Sequence, residues 1–354
     1  MRSRAAGWPL AGLLVLLALP WLLPFLLPAG QAQFWTANIL GRAIVFGIIA
    51  MSLTFLATYG GFVSLAQMMI AGVAGYALAV FVEGAVPRIV GGLGYAAAMP
   101  LGVLAATAMG LLVGAISVRT RDIYLLMITL ALSMGVFRFV ETNIAWFNGY
   151  EGIRNVVGPA LFGTDFRNPL VFYHVALATA ALLYFGVLYL VKTPFGLVLQ
   201  GIRDNPRRVA ALGYSVGLHR IAAFGVAGFI AGCGGVLSTI YNIGISPGTI
   251  GLGATVNVLI MSVIGGLGHP VGAFIGSLIF TVFDTFAATI YDRDRFNTLI
   301  GLVFLAIVLA SPDGAIGLGA RLRRLLGAAP MGARRPREGP APHSMTTDSR
   351  GGNA

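Results

Sequence analysis

The side chains able to do chemistry in this sequence are few, and the densest group of them lies between Lys192 and Arg220. There Arg203-Asp204-Asn205-Pro206-Arg207-Arg208-Val209-Ala210-Ala211-Leu212-Gly213 interrupts a succession of apolar segments. Exposed charges mixed with small residues suit docking against another protein rather than breaking bonds. No His, Asp and Glu set has metal-ligand spacing, and no Ser, His and Asp set shares a site. His174, His219 and His269 stand isolated along the chain. Lys192, the only lysine, follows Val191, so the Gly-Lys-Ser/Thr of a phosphate-binding loop is missing. The expectation is a chain with no resident cofactor; if ATP drives it, ATP and its magnesium sit on another subunit.

The insert carries its own local order. Asn205 is a good N-cap, Pro206 suits the first helical position, and Gly213 adopts readily the left-handed conformation that ends a helix. This predicts a short helix from Pro206 to Leu212, with Val209 and Leu212 three apart on one face and Arg207 and Arg208 beside them. Ser215 then caps a helix that re-enters apolar sequence at Ile221. A rigid polar knob of this kind is what a membrane channel needs if a soluble motor is to push on it.

Glycine supplies the second set of candidates. Among 49 glycines, two groups sit between apolar segments: Thr58-Tyr-Gly-Gly-Phe-Val-Ser-Leu-Ala-Gln67 and Val263-Ile-Gly-Gly-Leu-Gly-His-Pro270. Gly60 and Gly61 match Gly265 and Gly266 about 205 residues later, a hint of internal repetition. Two readings stand. Each group is a broken helix whose exposed backbone lines a permeation path, or an ordinary tight turn between antiparallel spans. Ser64, Gln67 and His269 are more polar than packing alone requires.

The elements that must position these residues follow from composition. The chain of 354 residues is 57% hydrophobic and 10% charged, far below the roughly 25% charge of a soluble domain. Apolar stretches of near-membrane length recur, which predicts an all-α polytopic membrane protein. Their continuously apolar character excludes an outer-membrane β-barrel. Spans read at about 10–29, 39–58, 62–82, 95–118, 123–146, 170–191, 221–243, 253–266, 271–290 and 298–311, giving about ten transmembrane helices in a range of eight to ten. The eighth and tenth are short of the roughly 20 residues a crossing needs.

Net charge is +11, yet the arginines sit at the ends of apolar spans, which points to membrane topology and not to nucleic acid. Starting inside, parity places Arg2/Arg4, Arg119/Arg121, Lys192 to Arg220 and Arg321/Arg323/Arg324 all on the cytoplasmic side. Both termini are then cytoplasmic, while 147–169 and the turn Asp292-Arg-Asp-Arg295 lie outside. Arg2, Arg4, the leucine-rich stretch and Gly30-Gln-Ala32 resemble a cleavable signal. The apolar run from Leu10 to Pro28 exceeds the usual 7–15 residue core, so a retained first helix is expected. Residues 1–320 form the membrane domain, and the Ala, Gly, Pro and Arg-rich stretch 321–354 reads as a disordered basic tail with weak attraction to anionic lipid.

Charges inside the spans are sparse. Arg42, near a span end, is expected to snorkel. Arg138 and Glu141, three apart, neutralise each other. Asp284 has no evident partner and is a candidate for a helix-to-helix hydrogen bond. Cys233, the one cysteine, is a small packing residue. The absence of paired buried acids weakens the case for a proton-coupled carrier.

The insert, continuing through His219-Arg-Ile-Ala-Ala-Phe-Gly-Val-Ala-Gly-Phe-Ile-Ala-Gly-Cys-Gly-Gly235, resembles the coupling-loop region of bacterial branched-chain amino acid ABC-importer permeases. Tyr59-Gly-Gly-Phe-Val-Ser-Leu-Ala, Arg119-Thr-Arg-Asp-Ile-Tyr-Leu-Leu-Met-Ile-Thr-Leu-Ala131, Pro159-Ala-Leu-Phe-Gly163, Val263-Ile-Gly-Gly-Leu-Gly-His-Pro-Val-Gly-Ala-Phe-Ile-Gly276 and Ser311-Pro-Asp-Gly314 agree with it in order, across roughly residues 40–318. The resemblance implies an ABC-importer permease fold in the inner membrane. It also implies a homologous second permease, two cytoplasmic ABC ATPases and a periplasmic solute-binding protein as partners. The helix from Pro206 and the turn at Gly213 would sit in a cleft of an ATPase. Arg207, Arg208 and Val209 stand where the general loop pattern has Glu-Ala-Ala, while Gly213 is kept. Urea and short-amide importers carry a closely similar permease, so the solute stays open. A stand-alone secondary carrier is the alternative of a different class.

Overall fold

The computed structural model describes residues 34–82, 94–120, 122–156, 160–161, 164–166 and 168–290, with Leu19, Pro20, Gly301 and Gly314. The expected spans 10–29 and 298–311, the turn after Asp292 and the tail 321–354 fall outside these residues, apart from isolated positions.

The chain is a multi-pass helical membrane protein. Helix α1 (Arg42–Phe55) is lengthened by π-turns Trp35–Gly41 and Leu56–Gly60. It is followed by α2 (Gln67–Phe81), α3 (Tyr95–Ser117), α4 (Asp122–Thr142) and the one-turn α5 (Ile144–Phe147). After two-residue strands β1 (Ile153–Arg154), β2 (Ala160–Leu161) and β3 (Thr164–Asp165) come α6 (Pro169–Lys192), α7 (Pro194–Asp204), α8 (Pro206–Ala211) and α9 (Val216–Tyr241). Strand β4 (Gly244–Ile245) leads to α10 (Leu252–Gly265) and α11 (Pro270–Ile290).

Among the described residues five helices are long and apolar enough to cross a membrane, or six if the pair α10 and α11, bent by 115° at its break, counts as one span. The expected span 62–82 is shorter than read. Gly61, in the left-handed region, closes the preceding helix, and α2 starts only at Gln67. The helix expected after Ser215 starts at Val216, where the Ser215 side chain accepts a hydrogen bond from the Leu218 N–H, and runs on through Ile221 to Tyr241.

Two helices form the centre. The span Asn38–Gly60 has 89% of its apolar window buried, against 22% for Ile123–Thr142 in α4. Helix α9 lies across α1, α2 and α3. With no water to expel between helices in a bilayer, association depends on close backbone approach by small residues. Gly102, Ala106, Gly110 and Gly114 recur every fourth residue on the buried face of α3. A Cβ on Gly110 would come within 2.6 Å of the Phe224 carbonyl, and one on Gly228 within 2.8 Å of the Ala106 carbonyl. That seam fixes α3 against α9.

Long-range polar links hold the rest. Ser277 donates to the Ala43 carbonyl at 2.8 Å and Ser262 to the Ala50 carbonyl at 3.3 Å, tying α11 and α10 to α1. Asp284 does have a partner. It pairs with Arg42 at 2.7 Å, a polar link between α11 and α1. Two opposite charges within a span offset much of each other's desolvation, which neither achieves alone. Arg138 and Glu141 pair at 2.7 Å on one helix. Strands β1 and β4 form an antiparallel ladder, Ile153 opposite Ile245 and Arg154 opposite Gly244, which puts the C-terminal sides of α4 and α9 at one end of the bundle.

Candidate coupling and translocation site

The polar insert is two helices, not one. Thr193 caps the turn out of α6 by donating to the Leu190 carbonyl at 2.6 Å, and Pro194 opens α7. Gly196 allows the corner, since a Cβ there would lie 2.4 Å from the Val191 Cα. Leu199 and Ile202 are fully buried on one face of α7, and Leu197 is exposed on the other. Sequence reasoning missed this amphipathic helix, although its start signal, Thr193 followed by Pro194, is present.

At Asn205 the chain turns sharply, and the side-chain oxygen accepts from the Arg208 N–H at 3.2 Å. The short helix α8 starts at Pro206 as expected but ends at Ala211. Gly213 and Tyr214 bond back to the carbonyls of Ala210 and Val209, so Leu212 sits on the closing turn. It is 75% exposed, while Val209 is buried, and the apolar face expected from the two does not form. Val209 packs toward Gly201 of α7, where a Cβ would approach its methyl at 3.1 Å. Gly213 has φ +87° in open space. Arg207, Arg208, Ala210 and Ala211 are exposed. The result is a rigid projection with a basic, solvent-facing surface.

Both flanks of the insert grip the first glycine turn. Arg203 donates from Nη1 to the Thr58 carbonyl at 2.6 Å and from Nε to Asp204 at 3.0 Å. A Cβ on Gly61, whose φ is +73°, would lie 2.3 Å from the Arg203 side chain, so the guanidinium stem rests on the glycine. Arg220, just after the insert, stands 5.8 Å over the ring of Phe62, which stacks on Phe224. Phe195 of α7 stacks on His219 of α9.

The two glycine turns meet. The Thr58 hydroxyl donates to the Leu267 carbonyl. The second glycine of each pair has positive φ, +73° at Gly61 and +104° at Gly266. In the first turn, Ser64 is fully buried and accepts from the Ala66 N–H at 3.2 Å. Gln67 is also buried and touches Ser52 at 2.9 Å, while its amide nitrogen has no hydrogen-bond partner. In the second turn, Gly265 and Gly266 are buried and His269 exposed. The His269 Nδ1 accepts from the Val271 N–H at 3.3 Å at the start of α11.

The Thr58–Leu267 contact thus joins the Gly60–Gly61 and Gly265–Gly266 turns at the end of the bundle that carries the insert, while Gln67 reaches Ser52 further inside α1. None of Gly60, Gly61, Ser64, Gln67, Gly265, Gly266 and His269 lines the narrow crevice between α1, α2, α9 and β4, which is lined by Ile49, Met68, Gly72, Ser238, Thr239 and Asn242 among others and has only about 10 Å³ open to a water molecule. The sequence signal for that crevice was Ser238, Thr239 and Asn242 at helical spacing at the end of α9. Among the described residues no three His, Cys, Asp or Glu side chains come together to hold a metal.

Crossing helices seamed by glycine, a broken helical pair and an exposed helical projection at one end define a membrane transport subunit. The chain belongs to the family described as branched-chain amino acid transport system / permease component, whose match runs over residues 35–309. It is similar to the probable branched-chain amino acid transport permease protein LivM of Methanocaldococcus jannaschii, 27% identical over 61% of this chain and 67% of that protein. It is similar also to the high-affinity branched-chain amino acid transport system permease protein LivM of Escherichia coli K12, 24% identical over 76% of this chain and 66% of that protein. The autoinducer 2 import system permease protein LsrC of Klebsiella pneumoniae is 30% identical over 64% of this chain and 62% of its own length. The matches thus span about two thirds of these curated relatives. No solved structure gives a significant match.

Proposed function

We propose that the chain is the inner-membrane permease subunit of an ATP-binding-cassette importer for branched-chain or related amino acids. The observation that carries this reading is the family match over 35–309, which takes in α1 to α11 and the α7–α8 projection. In this reading α8 and the turn at Gly213 dock in a cytoplasmic ATPase, and Arg203 to Gly213 form the coupling surface. ATP and magnesium are bound by the two ATPase subunits. A homologous second permease completes the path, and a periplasmic binding protein delivers the solute. Residues 1–320 constitute the membrane domain of about ten spans, with both termini and the tail 321–354 cytoplasmic. The likeness to LsrC supports an importer architecture shared across unlike solutes, so urea, short amides and autoinducer 2 are competing cargoes.

Proteoliposomes holding the chain with its second permease, ATPases and binding protein test the reading. ATP-dependent uptake of leucine is expected, with urea and autoinducer 2 as comparison solutes. Leucine uptake by the chain alone, without ATPases, would instead make it a secondary carrier. Single cysteines at Asn155 and Arg207 in a Cys233→Ser background should label from opposite sides with an impermeant thiol reagent. Labelling from the same side would overturn the topology.

A further inference from the structure

We propose that Thr58 is a positioning residue that joins the insert to both glycine turns, with Arg203 as its partner on the insert. The proposal rests on the importer reading above. Thr58 lies in the last turn of the span Asn38–Gly60, where a helix leaves its carbonyls without partners further along the chain. Arg203 fills that vacancy at 2.6 Å, and a cationic donor on a helix C-terminal carbonyl is among the stronger neutral-acceptor hydrogen bonds. The same residue's hydroxyl reaches the other way, to the Leu267 carbonyl. Leu267 directly follows Gly266, whose φ of +104° sets the break between α10 and α11. Asp204, Arg203, Thr58 and Leu267 therefore form one line of polar contacts, from the exposed projection to both backbone breaks.

The Arg203 stem lies on Gly61, where a Cβ would come within 2.3 Å of it, and this close approach lets the guanidinium reach the Thr58 carbonyl. A displacement of α8 against its ATPase then pulls the Thr58 carbonyl, and the Thr58 hydroxyl passes the pull to the α10–α11 break.

The test uses the complete reconstituted importer and reads solute moved per ATP hydrolysed. Thr58→Val keeps side-chain shape and removes the hydroxyl; Arg203→Met keeps a stem over Gly61 and removes the donors. Each should lower the ratio by about tenfold, the scale of losing one charge-assisted or buried hydrogen bond. Because the two act in series, the double variant should fall no further than the worse single. Thr58→Ser should keep the wild-type ratio. So should Thr107→Val, whose hydroxyl bonds only within its own helix at Val103. Losses that multiply to about a hundredfold would show two independent contacts and overturn the link. A lower unfolding midpoint with an unchanged ratio per assembled complex would overturn it also, since a structural brace alone gives that result. If Thr58→Val does not assemble, Arg203→Met against wild type decides by the same ratio. A wild-type complex without ATP-dependent uptake would overturn the importer reading and the link together; a coupled wild type with unaltered variants overturns the link alone.

Discussion

The two glycine turns share a backbone conformation and differ in what holds them. Around Gly61 the hold is made by side chains from elsewhere: Arg203 on the Thr58 carbonyl, Arg220 over Phe62, and Thr129 accepting from the Leu65 N–H at 3.1 Å. Around Gly266 the Thr58 hydroxyl reaches the Leu267 carbonyl, and the rest of the hold is backbone against backbone. A Cβ on Gly265 would lie 1.8 Å from the Gly272 carbonyl, and one on Gly276 1.8 Å from the Met261 carbonyl. Side-chain contacts can be exchanged one by one, whereas a glycine seam either closes or does not. The first turn is thus the adjustable one, and the second is a fixed corner on which α10 and α11 fold back.

The sharpest way to break this contrast is in the seam. Gly276→Ala places a methyl group where the Met261 carbonyl stands and should cost about 3 kcal/mol or more, at the upper end for overpacking. Folded yield in detergent and the thermal midpoint measure it. Near-wild-type stability would show that the corner yields, and the contrast would fail.

Gly61→Ala should cost less, about 1–3 kcal/mol, from positive-φ strain together with a displaced Arg203 side chain that has solvent to move into. Its midpoint should lie between wild type and Gly276→Ala, and uptake should drop further than stability does. Gly213→Val brings similar strain, about 1–3 kcal/mol, but in open space. Turning α8 relieves it, so insertion and assembly should persist while uptake per ATP falls. Wild-type transport by a normally assembled Gly213→Val complex would make the insert a passive connector.

The smallest effect is expected at Gln67→Leu. The Ser52 hydroxyl has one proton and bonds the Ile49 carbonyl at 2.6 Å, so removing the amide leaves it satisfied. The substitution also removes the unpartnered amide nitrogen, and stability should change by less than about 1 kcal/mol in either direction. A large loss would mean that the amide is held by more than Ser52. A drop in uptake with stability intact would support the assignment of Gln67 to the path.

What the sequence made legible was local. Asn205, Pro206, Gly213 and Ser215 announce their turns because capping is decided within four residues, and Arg138–Glu141 is set by helical spacing alone. Helix α7 escaped because Phe195, Leu197, Val198, Leu199 and Ile202 read with the arginines after them as one polar insert until Thr193-Pro194 is weighed as a start. Arg203 to Thr58 and Arg42 to Asp284 were hidden for another reason. Each joins residues far apart in the chain, and a single sequence holds no signal that pairs them. The extent of α2 was misread because Phe62 to Ala66 is apolar enough to join the span while its backbone is not yet helical.

The Arg42–Asp284 pair has a consequence for the order in which this protein is made. Asp284 leaves the ribosome 242 positions after Arg42, which at roughly 5–20 residues per second is a delay of about 10–50 s. Throughout that interval the first described span must enter the bilayer with an unmatched cation, at a cost of about 2.5–3.5 kcal/mol were it held at the centre. Arg42 lies four residues inside the start of that span, so until α11 arrives its long side chain has the headgroups within reach. Synthesis of α11 is thus the step that supplies its counter-charge, and a chain truncated before Asp284 leaves that cation to the headgroups.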